Sequence, residues 1–338
     1  MKHRALRLLI QLIGPVLLVV FLLRTDLGAL ASAFRQIAIG PVLLSLALFP
    51  VFLIVKAYRW NLVLRELGVE PPPLRETSEL YAIGLYAGGV TPGQSGDLIK
   101  AWYMKERGAP LPVTLFSIVL DRLFDFVIMA ILALLGIVAF VDAFPPAMRQ
   151  PLTIATVVFA VIVFASTPLM MARASRERLF GIFTPLLPAR FRPAVEKWRA
   201  QFAGLSMRPA LLVVLIAASI GSALSTIVRI WLLFQALPLA AVPLTTIVAC
   251  TAIISILQAL PISFAGVGVR DAVLVAALAR YGYSTELALT LSALFLLLNI
   301  EHILLGFLVS LRRPLGRTPP PNFAEEVPGS GPGTDAGR

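Results

Sequence analysis

Apolar runs long enough to cross a bilayer recur along this chain, and they decide what it can fold into. A hydrocarbon core about 30 Å thick takes about 20 helical residues, and within it backbone polar groups must find partners inside the protein. Runs of this kind lie at Leu8–Leu23, Pro41–Tyr58, Val113–Val141, Leu152–Met171, Ala210–Leu237 and Glu286–Leu311. Composition agrees: 58% of the 338 residues are hydrophobic and 14% are charged, against about 25% charged in a soluble domain. An all-α integral membrane protein is expected.

Two apolar stretches are broken. The first, Glu79–Lys100, contains Gly88-Gly89-Val90-Thr91-Pro92-Gly93-Gln94-Ser95-Gly96-Asp97-Leu98-Ile99-Lys100. Glycine and proline at this density are expected to end a helix, because glycine costs backbone entropy and proline lacks a donor. The second is Pro261-Ile262-Ser263-Phe264-Ala265-Gly266-Val267-Gly268-Val269-Arg270-Asp271. Interrupted segments in corresponding halves of a membrane protein point to a transport site.

Charge in the loops orients the chain. Lys2, Arg4 and Arg7 precede the first span, and Lys56, Arg59, Arg65 and Arg75 follow the second. Lys100, Lys105 and Arg107 follow the first break, and Arg312, Arg313 and Arg317 close the last span. The loop from Arg173 to Arg208 is the most basic of all, and its Phe191–Phe202 part reads as an amphipathic surface helix. Basic loops face the cytoplasm, so both termini are expected inside a plasma-membrane protein of six spans and two re-entrant hairpins. The hairpins then enter from opposite faces. Ala29-Leu30-Ala31 resembles a signal-peptidase site, but an uncleaved first helix is the expectation.

The formal net charge of +11 is explained by these loops and an anionic inner leaflet, so nucleic acid is not an expected partner. Cys250 is the only cysteine, and His3 and His302 are the only histidines. No cofactor or metal is expected.

Subtraction exposes a repeat. Asp97 to Asp271, Asp125 to Asn299 and Gly108 to Gly282 are each 174 positions apart, and Trp60 to Trp231 is 171. The units run roughly over 41–141 and 210–311. With opposed hairpins they form an inverted repeat inside one domain of residues 1–313. The Pro/Gly-rich tail, 314–338, is expected to be disordered.

Charges inside the spans mark candidate sites, because each costs about 2.5–3.5 kcal/mol at a helix centre. Asp121 and Asp125 share a helix face, and Arg122 is placed to neutralise Asp125. The cluster reads as the polar wall of a translocation cavity or as an ion cluster locking helices together. Asp97 with Lys100, and Arg270 with Asp271, close the two breaks; Arg270 is the best single phosphate ligand. The alternative makes Asp97 and Asp271 helix caps and puts Lys100 and Arg270 at the interface. Arg59 reads as an interfacial anchor unless a hairpin packs on it. Asn299, Glu301 and His302 in the last span read as a helix–helix hydrogen-bonding group, with a proton relay as the alternative.

Tyr58-Arg59-Trp60…Leu67-Gly68, Thr91-Pro92-Gly93-Gln94-Ser95-Gly96-Asp97, Asp121-Arg122…Asp125 and Pro261-Ile262-Ser263…Gly266-Val267-Gly268-Val269-Arg270-Asp271 resemble the lysylphosphatidylglycerol synthase transmembrane (flippase-like) family. The resemblance runs from the first span to about Arg313. The family pattern has arginine where this chain has Lys100, and glutamate where it has Asp121 and Asp271, which implies a different lipid headgroup. No soluble aminoacyl-transfer domain is expected after Arg313.

The resemblance implies a lipid translocase, not an enzyme. It would bind an anionic, aminoacylated or isoprenoid lipid headgroup in a midplane cavity. Arg59, Pro92, Gly96, Asp97, Lys100, Asp121, Arg122, Asp125, Gly266, Gly268, Arg270, Asp271, Asn299 and Glu301 are the expected binding residues. Expected partners are membrane lipids, with a lipid-modifying enzyme or a second copy of the chain as further ones. The rivals are a membrane-embedded transferase using Asp97 and Asp271 as acid and base, and a non-catalytic scaffold. No nucleotide-binding loop is present, so active transport would draw on an ion gradient or a partner.

Overall fold

The computed structural model describes residues 27–143, 146–171, 177–178, 181–182, 184–186, 209–259 and 268–313. The expectations for Leu8–Leu23, Phe191–Phe202, Gly266 with the rest of 261–267, and the 314–338 tail lie outside the described residues. Among the described residues every element is a helix. Two short helices, α1 (Leu27–Arg35) and α2 (Ile39–Ala47), lead into α3 (Phe49–Glu66). Next come α4 (Leu74–Gly89), a 3₁₀ segment (Pro92–Leu98), α5 (Ile99–Glu106), α6 (Leu111–Phe140) and α7 (Pro146–Met171). The second half holds α8 (Pro209–Gln235), α9 (Leu244–Ala259), α10 (Val269–Ala279) and α11 (Thr285–Arg312).

Four helical stretches are long and apolar enough to span a membrane: Ile39–Glu66, Arg149–Pro168, Ala210–Gln235 and Thr285–Arg312. At 30 residues α6 is longer than any of them, but it carries Asp121, Arg122 and Asp125. The span expected to end at Tyr58 runs on to Glu66, so Lys56 and Arg59 lie within it. Polarity is inside out: Val138 is 85% exposed and Val213 68%, while Arg59, Lys100 and Asp121 are each 0% exposed. Hydrocarbon solvates such an outer surface, and the interior must then pair its own charges.

With 16 residues each, α4 and α9 reach about 24 Å, short of the roughly 30 Å hydrocarbon core. Both turn back. The 3₁₀ segment and α5 fold against α4, and α10 folds against α9. The first break ends α4 at Gly89 as expected, and the chain continues from Pro92 in 3₁₀ form. The Thr91 hydroxyl fixes the turn by donating to the Ala87 carbonyl (2.8 Å) and accepting the Gly96 N–H (2.7 Å). Gln94 takes a left-handed φ of 56° there, a conformation rare for a side-chain-bearing residue.

The two halves are packed in a crossed manner. Hairpin helix α4 lies against α11 of the second half, and α9 lies against α6 of the first. Glycine permits both approaches. A Cβ on Gly306 would meet the Ala82 carbonyl oxygen at 2.2 Å, and one on Gly136 would meet the Ala249 Cβ at 2.8 Å. Gly108 and Gly282 end α5 and α10 in the same way. Each has a positive φ (87° and 76°), and the following N–H reaches back to Met104 or Leu278.

Candidate functional site

Three helices and the 3₁₀ segment bring charge together in the first half. From α3, the Arg59 Nε donates to Asp121 Oδ1 at 2.7 Å, Nη1 to Asp125 Oδ1 at 2.6 Å and Ser219 Oγ at 3.0 Å, and Nη2 to the Asp121 carbonyl at 3.0 Å. Lys56 Nζ adds a bond to Asp125 Oδ2 at 2.6 Å. Tyr81, on α4, donates its hydroxyl to Asp121 Oδ2 at 2.7 Å. Arg59 is therefore no interfacial anchor: the hairpin packs on it and it is fully buried. Lys56, which the sequence marks only as a loop-side charge, is 9% exposed and part of the same cluster.

Arg122 does not neutralise Asp125, whose carboxylate Arg59 and Lys56 already hold. Its side chain turns instead to the 3₁₀ segment, where Nε donates to Asp97 Oδ2 at 2.9 Å and Nη1 to Gln94 Oε1 at 2.7 Å. Lys100 Nζ stands 2.9 Å from the other Asp97 oxygen. It lies 3.8 Å from the Tyr81 ring centre and 4.9 Å from that of Trp60. Lys100 is thus buried, not interfacial, and its ammonium is held by a carboxylate and two aromatic faces. Asp97 serves as an ion-pair centre instead of a helix cap. Gly84 makes room for it, since a Cβ at that position would sit 2.3 Å from Asp97 Oδ1.

A balance of charge follows. Lys56 and Arg59 are matched by Asp121 and Asp125, whereas Lys100 and Arg122 share the single carboxylate of Asp97. The group as a whole retains one positive charge, shared between Lys100 and Arg122.

The second half pairs its charges differently. Arg229, on α8, donates Nε to the Ser45 carbonyl at 2.9 Å and Nη2 to Glu301 on α11, and its Nη1 lies 2.9 Å from His302 Nε2. Because the guanidinium only donates, His302 Nε2 accepts. Phe49 and Phe52 stack on the imidazole. Glu301 and His302 do form the helix–helix hydrogen-bonding group expected of them. Arg229 was visible in the sequence as a charge inside a span, but its partners could not be read.

Arg270 and Asp271 form a third cluster. Asp271 is the helix cap of the alternative reading: its Oδ2 accepts the Gly268 N–H at 2.7 Å, where Gly268 has a φ of 80°. Ser292 on α11 donates to Asp271 and accepts the Arg270 Nε at 2.6 Å. Arg270 Nη1 is buried without a hydrogen-bond partner among the described residues. No hydrogen bond or ion pair among the described residues joins this cluster to Asp97; Asp97 pairs with Arg122 on α6, and Asp271 with Ser292 on α11.

Two small cavities lie between the first two clusters. One, of about 100 Å³, is lined by Thr91 and Gln94 from the first break, Arg122, Gln258, Asn299 and His302. The other, of about 130 Å³, shares Gln258, Asn299 and His302 and adds Arg229. Asn299 therefore lies where the sequence places a cavity residue. Gln94 and Gln258, which no charge signal marks, complete the polar lining.

A scan of family profiles matches residues 5–306 to the lysylphosphatidylglycerol synthase TM region. The chain belongs to that family. It is accordingly a membrane protein whose helical body is the lysylphosphatidylglycerol synthase TM region. Comparisons with curated proteins and with solved structures found no match.

Proposed function

We propose that this TM-region protein translocates a lipid headgroup between leaflets through the polar cavities at its centre. The observation that carries the reading is the excess positive charge of the Asp97–Lys100–Arg122 group, placed at a cavity wall. A preorganised arginine in a low-dielectric setting favours an anionic group such as a phosphate. Arg270, whose Nη1 has no hydrogen-bond partner among the described residues, offers a second cationic contact in the other half. Asp97 and Asp271, which a transferase would need as acid and base, are held in ion pairs and in a helix cap.

The crossed packing of α4 on α11 and α9 on α6 supports an inverted repeat with two re-entrant hairpins. In that arrangement six spans place both termini in the cytoplasm, and the basic loops face the inner leaflet of the plasma membrane. Each cavity is smaller than the roughly 300–1,000 Å³ of a small-ligand pocket, so the structure is a closed state and transport requires the halves to separate around the cavity. The bonds Arg59–Ser219 and Arg229–Ser45, which cross between the halves, would have to give way while that happens.

Reconstitution in liposomes with labelled phosphatidylglycerol tests the reading. The expected result is leaflet exchange well above protein-free liposomes, sharply reduced by Arg122→Gln. Exchange equal to that of empty liposomes for anionic and aminoacylated lipids alike would sink it.

A further inference from the structure

A third cavity, of about 440 Å³, runs along the outside of the helical body between α6, α7 and the 3₁₀ segment. Its walls are Ile118, Val119 and Phe126 from α6 and Phe159, Ile162 and Val163 from α7. Val119 is 46% exposed and Ile162 61%, on the face that hydrocarbon covers. The inner end is different in kind: Gln94, Asp97 and Arg122 close it. Gln94 and Arg122 also line the central cavity that Asn299 and His302 share. One hydrogen-bonded pair, Arg122 Nη1 to Gln94 Oε1 at 2.7 Å, therefore stands between an apolar groove open to the bilayer and the polar interior.

We propose that this groove seats an acyl chain of an anionic phospholipid whose phosphate meets Arg122, and that the Gln94–Arg122 pair is the door through which the headgroup enters from the side. The occupant follows from the chemistry of the two ends. An apolar groove facing hydrocarbon fills with hydrocarbon, at no cost relative to the bilayer. The excess positive charge that Lys100 and Arg122 share lies at its head, and charge complementarity selects an anion there. The hydrogen bond to Gln94 is neutral on the acceptor side, so a phosphate that reaches Arg122 exchanges a bond with one ionised partner for a bond with two. Gln94 is also the residue held at a left-handed φ, and its release would relax the turn that closes the cavity.

This inference deepens the translocase reading but is tested without transport. The full chain in proteoliposomes is irradiated with phosphatidylglycerol carrying a diazirine in one acyl chain, and adducts are mapped by mass spectrometry. Labelling of residues 118–126 and 159–166 is expected to exceed, several-fold, that of the equally lipid-facing Val213 and Leu224 on α8. Phosphatidylcholine with the same chain is expected to lose most of that excess, as is Arg122→Gln. Ile162→Trp, or Val119→Trp from the opposite wall, is expected to abolish it. Val138→Trp, more exposed to lipid but outside the groove, leaves it intact. Labelling spread evenly over all lipid-facing residues, or indifferent to headgroup charge, overturns the proposal. Focused labelling without any leaflet exchange overturns the translocase reading and leaves the groove standing; exchange with even labelling does the reverse.

Discussion

Arg59 and Asp121 meet with Nε 2.7 Å from Oδ1, and neither side chain has any exposure to solvent. An ion pair so placed contributes little net stability, but either partner left alone is an uncompensated buried charge. Arg59→Ala and Asp121→Ala are each expected to destabilise the fold by about 3–5 kcal/mol. Arg59→Met with Asp121→Leu is expected to recover most of that loss. Thermal unfolding in detergent micelles reads both outcomes, and a double variant no better than the singles would show that geometry, not charge balance, is decisive.

Gly96 and Gly108 separate two reasons for glycine. A Cβ on Gly96 would lie 2.1 Å from the Ala87 carbonyl oxygen, whereas one on Gly108 meets nothing, and only its φ of 87° matters. Gly108→Ala is expected to cost roughly 1–2 kcal/mol from left-handed strain. Gly96→Ala is expected to cost about 3 kcal/mol or more, because the hairpin must open. A melting comparison of the two variants should rank them in that order.

His302→Phe keeps the stack on Phe49 and Phe52 and deletes the acceptor for Arg229 Nη1. The expected cost is about 1–3 kcal/mol for the unsatisfied guanidinium N–H. His302→Gln, which restores an acceptor, is expected to recover part of it. If both variants melt alike, the imidazole serves only as packing.

At the helix ends the same residue types do much less. Arg313 reaches Glu76 and Glu79, and Arg107 also reaches Glu76, tying the last turn of α11 to the first of α4. Arg313 is 36% exposed at its side chain. Glu76→Ala is expected to change stability by about 1 kcal/mol or less, with an effect that shrinks as salt is added.

Long helices were legible because bilayer thickness leaves few lengths to choose from. Leu111–Phe140 and Thr285–Arg312 fall within a few residues of the expected Val113–Val141 and Glu286–Leu311. The equal offset of Gly108 and Gly282 was legible too, but that both end helices at a positive φ was not. Partner choice among charges was not. Spacing along one helix assigns Arg122 to Asp125, but a carboxylate arriving from the 3₁₀ segment takes it instead. Lys56 and Arg59 were placed at the membrane surface because charge normally ends a span. Carboxylates from α6 keep them inside, and no local pattern in α3 announces that. Asp271 followed the local rule, since a carboxylate three residues after Gly268 is a helix cap wherever it occurs.

Crossed packing also has a consequence for biogenesis. The face of α4 that receives Gly306 beside Ala82 is made early, while Gly306 itself is made more than two hundred positions later. At roughly 5–20 residues per second, ribosomes leave that face without its mate for about 10–40 s. Through that interval the insertion machinery, not the finished protein, must shelter the first hairpin, so a nascent chain stopped after α7 remains a client of it.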